Sequence, residues 1–164
     1  MSKKIKQTKG TKSVARIFTI CEIFLILTPF IACIYCSMLA SSASMSFREI
    51  LSSHPSVTVI FLLAMVNPYA AYILKLIKQK LDNGNYQFVV INFLLLLIAQ
   101  MLTLNTLYAC MIGYAFYKTI KVYNIPVKKT LKEINFKKYF SYGGGSLIIM
   151  SFSLLSLFVT IKLL

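Results

Sequence analysis

The sequence is poor in acidic residues and in charge altogether. Only 4 of its 164 residues are Asp or Glu, against 18 Lys plus Arg, and charged residues make up 13% of the chain. Soluble domains are typically about 25% charged and about 45 to 50% apolar, whereas this chain is 58% apolar with a mean hydropathy of +0.75. This composition excludes a typical soluble enzyme and a disordered tail, and it favours an integral membrane protein.

The residues that build metal sites, disulfide frameworks and cofactor loops are also scarce. The single histidine, His54, has too few companion ligands for a metal site. The four cysteines lie within apolar segments rather than in loops, which excludes a small secreted module held by disulfides. The sequence contains no phosphate-binding loop, dinucleotide fingerprint, zinc-protease motif or nucleophile elbow. We therefore predict a protein that is not an enzyme and that uses no cofactor and no metal.

The apolar runs predict an all-α fold, a polytopic helical bundle integral to the membrane. A helix rises about 1.5 Å per residue, so about 20 residues cross a hydrocarbon core of about 30 Å. A basic leader covers residues 1–16, and residues 40–55 are predicted to form a small, polar loop on the far side. The predicted membrane helices are residues 17–39, 56–77, 87–103, 106–123 and 142–164.

The number of crossings depends on the stretch from Tyr86 to Tyr123. A single long helix would give four crossings and would leave basic residues on both sides of the membrane. A tight hairpin that turns near Leu104 and Asn105 places every basic residue except Arg48 and Lys162 on the side of the N-terminus. Because basic loops are held on the cytoplasmic side, we predict the hairpin, with five crossings, a cytoplasmic N-terminus and an external C-terminus.

Two local patterns lie between the hairpin and the last predicted helix. Residues 127–140 combine apolar side chains on one face with lysines, which predicts a short basic helix on anionic lipid head groups. The glycines at positions 143–145 predict a flexible joint. Ser146, Ser153 and Ser156 then form a small-residue face suited to close helix packing.

Glu22 is the most informative single residue, because a carboxylate within an apolar helix costs about 2.5 to 3.5 kcal/mol at mid-membrane unless it is compensated. It either pairs with Arg16 or a loop lysine near the inner boundary, or it forms an ion or proton site. Such an intramembrane polar site would be completed by amides of the other helices. The candidates are Asn67, Asn92, Gln100 and Asn105. We interpret the last three as hydrogen-bond links between helices rather than as a substrate path.

Two prolines lie within predicted membrane helices, Pro29 in the first and Pro68 in the second. Proline removes a backbone donor and frees a carbonyl, so we expect a helix kink at each position. At Pro68 the freed group would be satisfied by a neighbouring helix or by Asn67.

Cys33 and Cys36 form a CxxC motif at the outer end of the first predicted helix, where positions i and i+3 share a face. Over these four residues the sequence resembles the four-helix, quinone-dependent membrane thiol oxidases. The resemblance implies a redox pair. Those enzymes also need a second extracytoplasmic cysteine pair, which Cys21 and Cys110 do not form. Because cysteines in apolar helices usually act as small hydrophobic residues, we predict that the motif is dispensable.

The leading functional hypothesis is a non-catalytic, small multi-pass protein, either an accessory subunit of a membrane complex or an immunity-type protein, acting by helix–helix interaction. A transporter or channel component that uses Glu22 is the alternative, and a thiol-disulfide oxidoreductase is the third. The expected partners are the bilayer, anionic head groups at the basic loops, and another membrane protein or a second copy. The basic blocks lack any nucleic-acid recognition pattern. Abundant Lys, Ile, Asn and Tyr fit an AT-rich genome, so we expect a bacterial plasma membrane.

Overall fold

The computed structural model describes residues 9–103, 105–132 and 136–163, with side chains for all of them except residues 136–141 and 163. Every regular element in these ranges is a helix, so the predicted all-α class is confirmed. The helices are α1 (Lys9–Ser42), α2 (Phe47–Ser53), α3 (Pro55–Asp82), α4 (Tyr86–Leu102), α5 (Thr106–Tyr123), α6 (Val127–Lys132) and α7 (Phe136–Leu163).

Three helical stretches are long and apolar enough to cross a membrane, namely Lys9–Ser42, Pro55–Asp82 and Tyr142–Lys162. A fourth helix, α4, is apolar but has only 17 residues. The chain therefore has the helices of a membrane protein. Both α1 and α3 extend beyond their apolar runs, since a basic segment continues each helix at one end.

The bundle is organised around the pairing of α1 with α3, which is the most extensive contact between two of the described helices. Their buried residues recur at intervals of three and four, a spacing typical of helices that pack at a small crossing angle. We give the name α1–α3 seam to the buried faces of these two helices; the face of α1 also contacts α5, and that of α3 also contacts α4 and α7. The seam residues include Phe18, Cys21, Leu25, Ala32 and Cys36 of α1, and Ala64, Asn67, Ala71, Leu74 and Leu81 of α3.

The helix α4 lies at the centre of the bundle, in contact with α3, α5, α6 and α7. It is buried on almost every side, as expected for a helix that is apolar all round. Phe93 connects it to α1 and α5, because its ring lies 5.5 Å from the ring of Phe18 and 5.1 Å from that of Phe116.

The stretch from Tyr86 to Tyr123 forms two helices rather than one. Helix α4 ends at Leu102 and α5 begins at Thr106, within one residue of the predicted arms. The turn between them includes residue 104, which lies outside the described residues, and the Asn105 N–H donates to the Gln100 carbonyl at 3.1 Å. The helices then pack side by side, so that a Cβ added at Gly113 would lie 3.3 Å from Leu97 Cδ1.

The predicted polar loop at residues 40–55 is partly helical, which corrects the sequence prediction. Helix α1 continues to Ser42, and α2 is started by a capping box. The Glu49 N–H donates to Ser46 Oγ at 3.3 Å, and the Ser46 N–H donates to Glu49 Oε2 at 2.6 Å. This reciprocal pair satisfies two free backbone donors, so a short polar helix forms where composition alone indicates a loop. The Ser46 backbone N–H, and secondarily its side chain, lower the pKa of the Glu49 carboxyl.

The glycines at positions 143–145 lie inside α7, so the predicted flexible joint is wrong. At Gly143 and Gly145 the absence of a side chain allows close packing. A Cβ added at Gly143 would lie 2.9 Å from Leu95 Cδ1, and one added at Gly145 would lie 2.6 Å from Ile73 Cδ1. Here α7 approaches both α4 and α3 closely. Of the predicted surface helix, Val127–Lys132 is helical as α6, residues 133–135 lie outside the described residues, and the rest belongs to α7.

The lysine-bearing ends of several helices lie together at what we call the basic end of the bundle. One cavity of about 280 Å³ is lined by Lys12 of α1, Lys78 of α3 and Tyr123 of α5. Another, of about 580 Å³, is lined by Lys129 of α6 and by the turn between α3 and α4. At the other end of the bundle, the start of α3 faces the end of α7, which carries Lys162.

Candidate functional site

Glu22 lies on α1 and is half-buried. Its Oε1 atom is buried and has no hydrogen-bond partner among the described residues. The cations that act on it electrostatically are Lys78 and then Lys75, both on α3. Lys75 lies within the predicted helix 56–77 and Lys78 directly follows its predicted end, and both belong to α3, which packs against α1. Lys75 is exposed and Lys78 is half-buried.

The position of Glu22 beside the α1–α3 seam explains why these two lysines of α3 are the cations near it. Glu22 follows the seam residue Cys21, while Lys75 and Lys78 each follow a buried seam-side residue of α3. Positions that flank the contact between paired helices often carry charge pairs across the interface. The arrangement therefore fits a structural charge pair, but it leaves one buried carboxylate oxygen without a donor.

Asn92 joins α4 to α7. It is 1% exposed, and its Nδ2 donates to the Phe88 carbonyl at 2.9 Å and to the Tyr142 carbonyl at 2.8 Å. Its Oδ1 accepts from Ser146 Oγ at 2.6 Å. Because both ends of the amide are used within the α4–α7 interface, Asn92 is not free to complete a site at Glu22.

Gln100 and Asn105 lie beside the α4–α5 turn. Gln100 is 3% exposed, and its Oε1 has no hydrogen-bond partner among the described residues. Asn105 precedes the first residue of α5, and its side chain makes no capping hydrogen bond there. Glu22 lies in the half of α1 nearer the basic end, whereas this turn lies at the opposite end of α4 and α5. The structure does not bring these amides together with Glu22.

Asn67 and the two prolines lie within continuous helices. Asn67 is 6% exposed in the α1–α3 seam, next to Pro68 in α3, and Pro29 lies within α1. Neither proline interrupts its helix. Among the described residues, no hydrogen bond joins the side chain of Asn67 to Glu22.

A polar contact near Pro29 was not predicted from the sequence. Tyr108 of α5 is 9% exposed, and its hydroxyl lies 2.6 Å from Thr28 Oγ1 and donates to the Phe24 carbonyl at 3.3 Å. Its signal in the sequence is only that a tyrosine hydroxyl within an apolar helix needs a partner. The contact joins α5 to α1 one turn before the proline.

All four cysteines are free thiols. Cys36 is fully buried in the α1–α3 seam, and Cys33, about one turn before it, is half-buried. Cys21 is also a seam residue, with its Sγ 3.9 Å from the Met111 carbonyl. Cys110 is exposed on α5. Complete burial of Cys36 favours a packing role for this thiol over rapid exchange with an external disulfide.

Among the described residues, no group of three or more His, Cys, Asp or Glu side chains could hold a metal ion. Comparisons with protein-family models, with curated proteins and with solved structures found no match. No relative therefore indicates a substrate or a partner.

Proposed function

We propose that the protein is a non-catalytic, multi-pass membrane protein that acts by binding another membrane protein through its helices, as an accessory subunit or an immunity-type protein. The observation that carries the proposal is the use of interior polar groups. The amide of Asn92 links α4 to α7, and the hydroxyl of Tyr108 links α5 to α1. Polar groups that hold helices together are typical of a packed scaffold, whereas a transport path needs polar groups that face an open passage.

The proposed topology has five crossings, with the N-terminus in the cytoplasm of a bacterial cell. It is supported by the helix break at the α4–α5 turn and by the gathering of lysines at the basic end. The short helix α5 carries Lys118 and Lys121 near that end, where long side chains extend to the head groups. Anionic head groups of the plasma membrane would then meet the basic end.

The proposed interaction surface consists of the outward faces of α1 and α7. Most residues in the apolar parts of both helices are not buried within the protein. Large apolar side chains are exposed there, such as Phe30, Ile34, Leu155 and Phe158. These faces contact lipid by default. A partner helix would replace that lipid along one of them, with the gain in packing that drives helix association in a bilayer.

Photo-crosslinking in native membranes tests this proposal. A photoreactive amino acid is placed at Phe30 on α1 or at Leu155 on α7, with the buried position Phe93 as the matched control. We expect one discrete protein adduct at an exposed position and none at the control. If every exposed position on both faces yields only lipid adducts, the protein does not act through these helices.

A second candidate, ion or proton transport at Glu22, is favoured by the unpartnered Oε1 atom. It is tested by flux into vesicles that contain the purified protein, under an imposed pH or cation gradient. The exposed Glu49 supplies a matched control, since Glu49→Gln removes a carboxylate outside the bundle. A scaffold gives no flux above that of empty vesicles. Flux that Glu22→Gln abolishes and Glu49→Gln preserves would establish the transporter instead.

A further inference from the structure

A cavity of about 280 Å³ at the basic end lies between α1, α3 and α5. We call it the basic cavity. Three of the residues that line it, Val14, Phe18 and Leu81, are at most 1% exposed and belong to the packed core. Two cations also line it, Lys12 from α1 and Lys78 from α3. The basic cavity is therefore a notch in the packed bundle that carries positive charge from two different helices.

The basic cavity lies at the level where three of the predicted apolar segments end. Lys78 directly follows the segment 56–77, Tyr123 is the last residue of the segment 106–123, and Ala15 lies just before the first segment. The head groups of phospholipids lie at this level, just outside the hydrocarbon core. Tyrosine side chains are enriched at the same level. A lipid beside these helices therefore brings its phosphate to the depth of the basic cavity.

The charges that line the basic cavity favour an anion of single charge. Lys12 and Lys78 contribute two positive charges and Asp82 contributes one negative charge, which leaves a net charge of +1 among the lining residues. Among the described residues, neither lysine forms a close ion pair, and Glu22 acts on Lys78 only through space. The phosphodiester of a phospholipid carries one negative charge, and it accepts charge-assisted hydrogen bonds from ammonium groups. A doubly charged phosphate would be repelled more strongly by Asp82.

We propose that the basic cavity binds the head group of an anionic glycerophospholipid of the phosphatidylglycerol type, whose phosphodiester is held by Lys12 and Lys78 and whose acyl chains extend along the helices. Basic pockets between membrane helices bind anionic head groups of this kind. The volume of about 280 Å³ lies just below that of sites for whole small molecules, about 300 to 1,000 Å³, and suits a head group alone. The inference rests on the contact of the basic end with anionic head groups in the function proposed above, and it names one site and one lipid class there.

Native mass spectrometry of the purified full-length protein, released from detergent micelles, tests the proposal. The probe is dioleoylphosphatidylglycerol. The matched control lipid is dioleoylphosphatidylcholine, in which the choline neutralises the same phosphodiester. We expect the first phosphatidylglycerol molecule to bind more tightly than the first phosphatidylcholine molecule. No partner protein is present, so a failure here leaves the proposed helix–helix interaction standing, and a failure of the photo-crosslinking leaves the lipid site standing.

Variants of single lysines locate the site. Lys12→Gln should weaken the binding of the first phosphatidylglycerol molecule about tenfold, the fold-change that about 1.4 kcal/mol produces, and Lys12→Arg should retain it. Lys129→Gln is the matched control, because Lys129 lines a different cavity of the basic end and its replacement removes the same charge. It should have little effect. Lys12 is preferred to Lys78, since Lys78 also acts on the carboxylate of Glu22.

A second pair of variants changes the space in the basic cavity without changing its charge. Ala15 lines the cavity, so Ala15→Phe should fill part of it and weaken the binding of phosphatidylglycerol. Ser13→Phe is the matched control, at an exposed residue of α1 that does not line the cavity. These variants and the comparison of the two lipids keep the proposal testable if Lys12→Gln does not fold.

Four results would overturn the proposal. Equal affinities for the two lipids would show that the protein does not recognise the negative charge of the head group. Equal effects of Lys12→Gln and Lys129→Gln would reduce the binding to diffuse attraction by the basic end. Unchanged binding by Ala15→Phe would place the lipid elsewhere on the protein. Displacement of the lipid by an excess of inorganic phosphate would make the cavity a site for a soluble anion.

Discussion

Replacing Gly145 by alanine tests whether the glycines of α7 are packing residues. A Cβ at this position would lie 2.6 Å from Ile73 Cδ1 and 3.3 Å from Tyr69 Oη. The side chain of Ile73 is 3% exposed, so it has little room to move away. Gly144 is the matched control, because a Cβ added there meets nothing within 4 Å.

The expected magnitudes come from two opposing effects. Both substitutions replace glycine within a helix and should gain about 0.5 to 1 kcal/mol from the lower backbone entropy of the unfolded chain. Only Gly145→Ala also overpacks the interface, at a cost of about 1 to 3 kcal/mol. The propensity gain cancels between the two variants. We therefore expect Gly145→Ala to have a free energy of unfolding about 1 to 3 kcal/mol below that of Gly144→Ala.

The assay is equilibrium unfolding in mixed micelles by titration with a denaturing detergent, followed by far-ultraviolet circular dichroism because the chain has no tryptophan. Ile73→Val supplies the second half of a double-mutant cycle, since it removes the Cδ1 atom that the new Cβ would meet. Alone it should cost about 0.5 to 1.5 kcal/mol, and combined with Gly145→Ala it should relieve the overpacking. Equal stabilities of the two glycine variants, or independent effects in the cycle, would refute the packing of α7 against α3.

Asn92→Ala should lower the free energy of unfolding by about 1 to 3 kcal/mol, because it leaves the buried hydroxyl of Ser146 without its acceptor; the control Ser151→Ala, at an exposed serine, should have a small effect in the same titration. Simultaneous replacement of Cys33 and Cys36 by serine should leave function intact at normal protein levels, and loss of function together with a disulfide between them in the native protein would favour redox chemistry. Reporter fusions should place the N-terminus in the cytoplasm and the C-terminus outside, whereas a cytoplasmic C-terminus would show that α4 and α5 do not both cross the membrane.

The lengths of the apolar runs allowed the longer helices to be predicted, but not the short helix α2 and not all helix ends. The arms of the hairpin were placed within one residue, because turn residues interrupt the apolar pattern there. Helix α1 begins in basic sequence at Lys9, before the predicted membrane segment. Helix α3 continues past its predicted segment through Lys78 and Lys80 and ends at Asp82. Hydropathy reports where a chain meets hydrocarbon, and backbone hydrogen bonding continues past that boundary.

The glycine run shows where local sequence rules fail. Three consecutive glycines are flexible in isolation, but in the bundle two of them lie against Ile73 and Leu95, residues about fifty or more positions away in the chain. The same limitation applies to Asn92, whose partner Ser146 is 54 residues away. The sequence identifies which residues need a partner, and only the packing determines which partner they find.

Asn92 and Gln100 therefore have different meanings although both are buried amides of α4. The packing of α7 supplies Asn92 with an acceptor and a donor, so this amide contributes to folding. Two other buried oxygens, Oε1 of Glu22 and Oε1 of Gln100, have no such partner among the described residues. Each costs about 1 to 3 kcal/mol or more without a return in structure. Residues that lower stability in this way are candidates for binding an ion or a ligand, so these two positions, at opposite ends of the bundle, are where such binding should be sought.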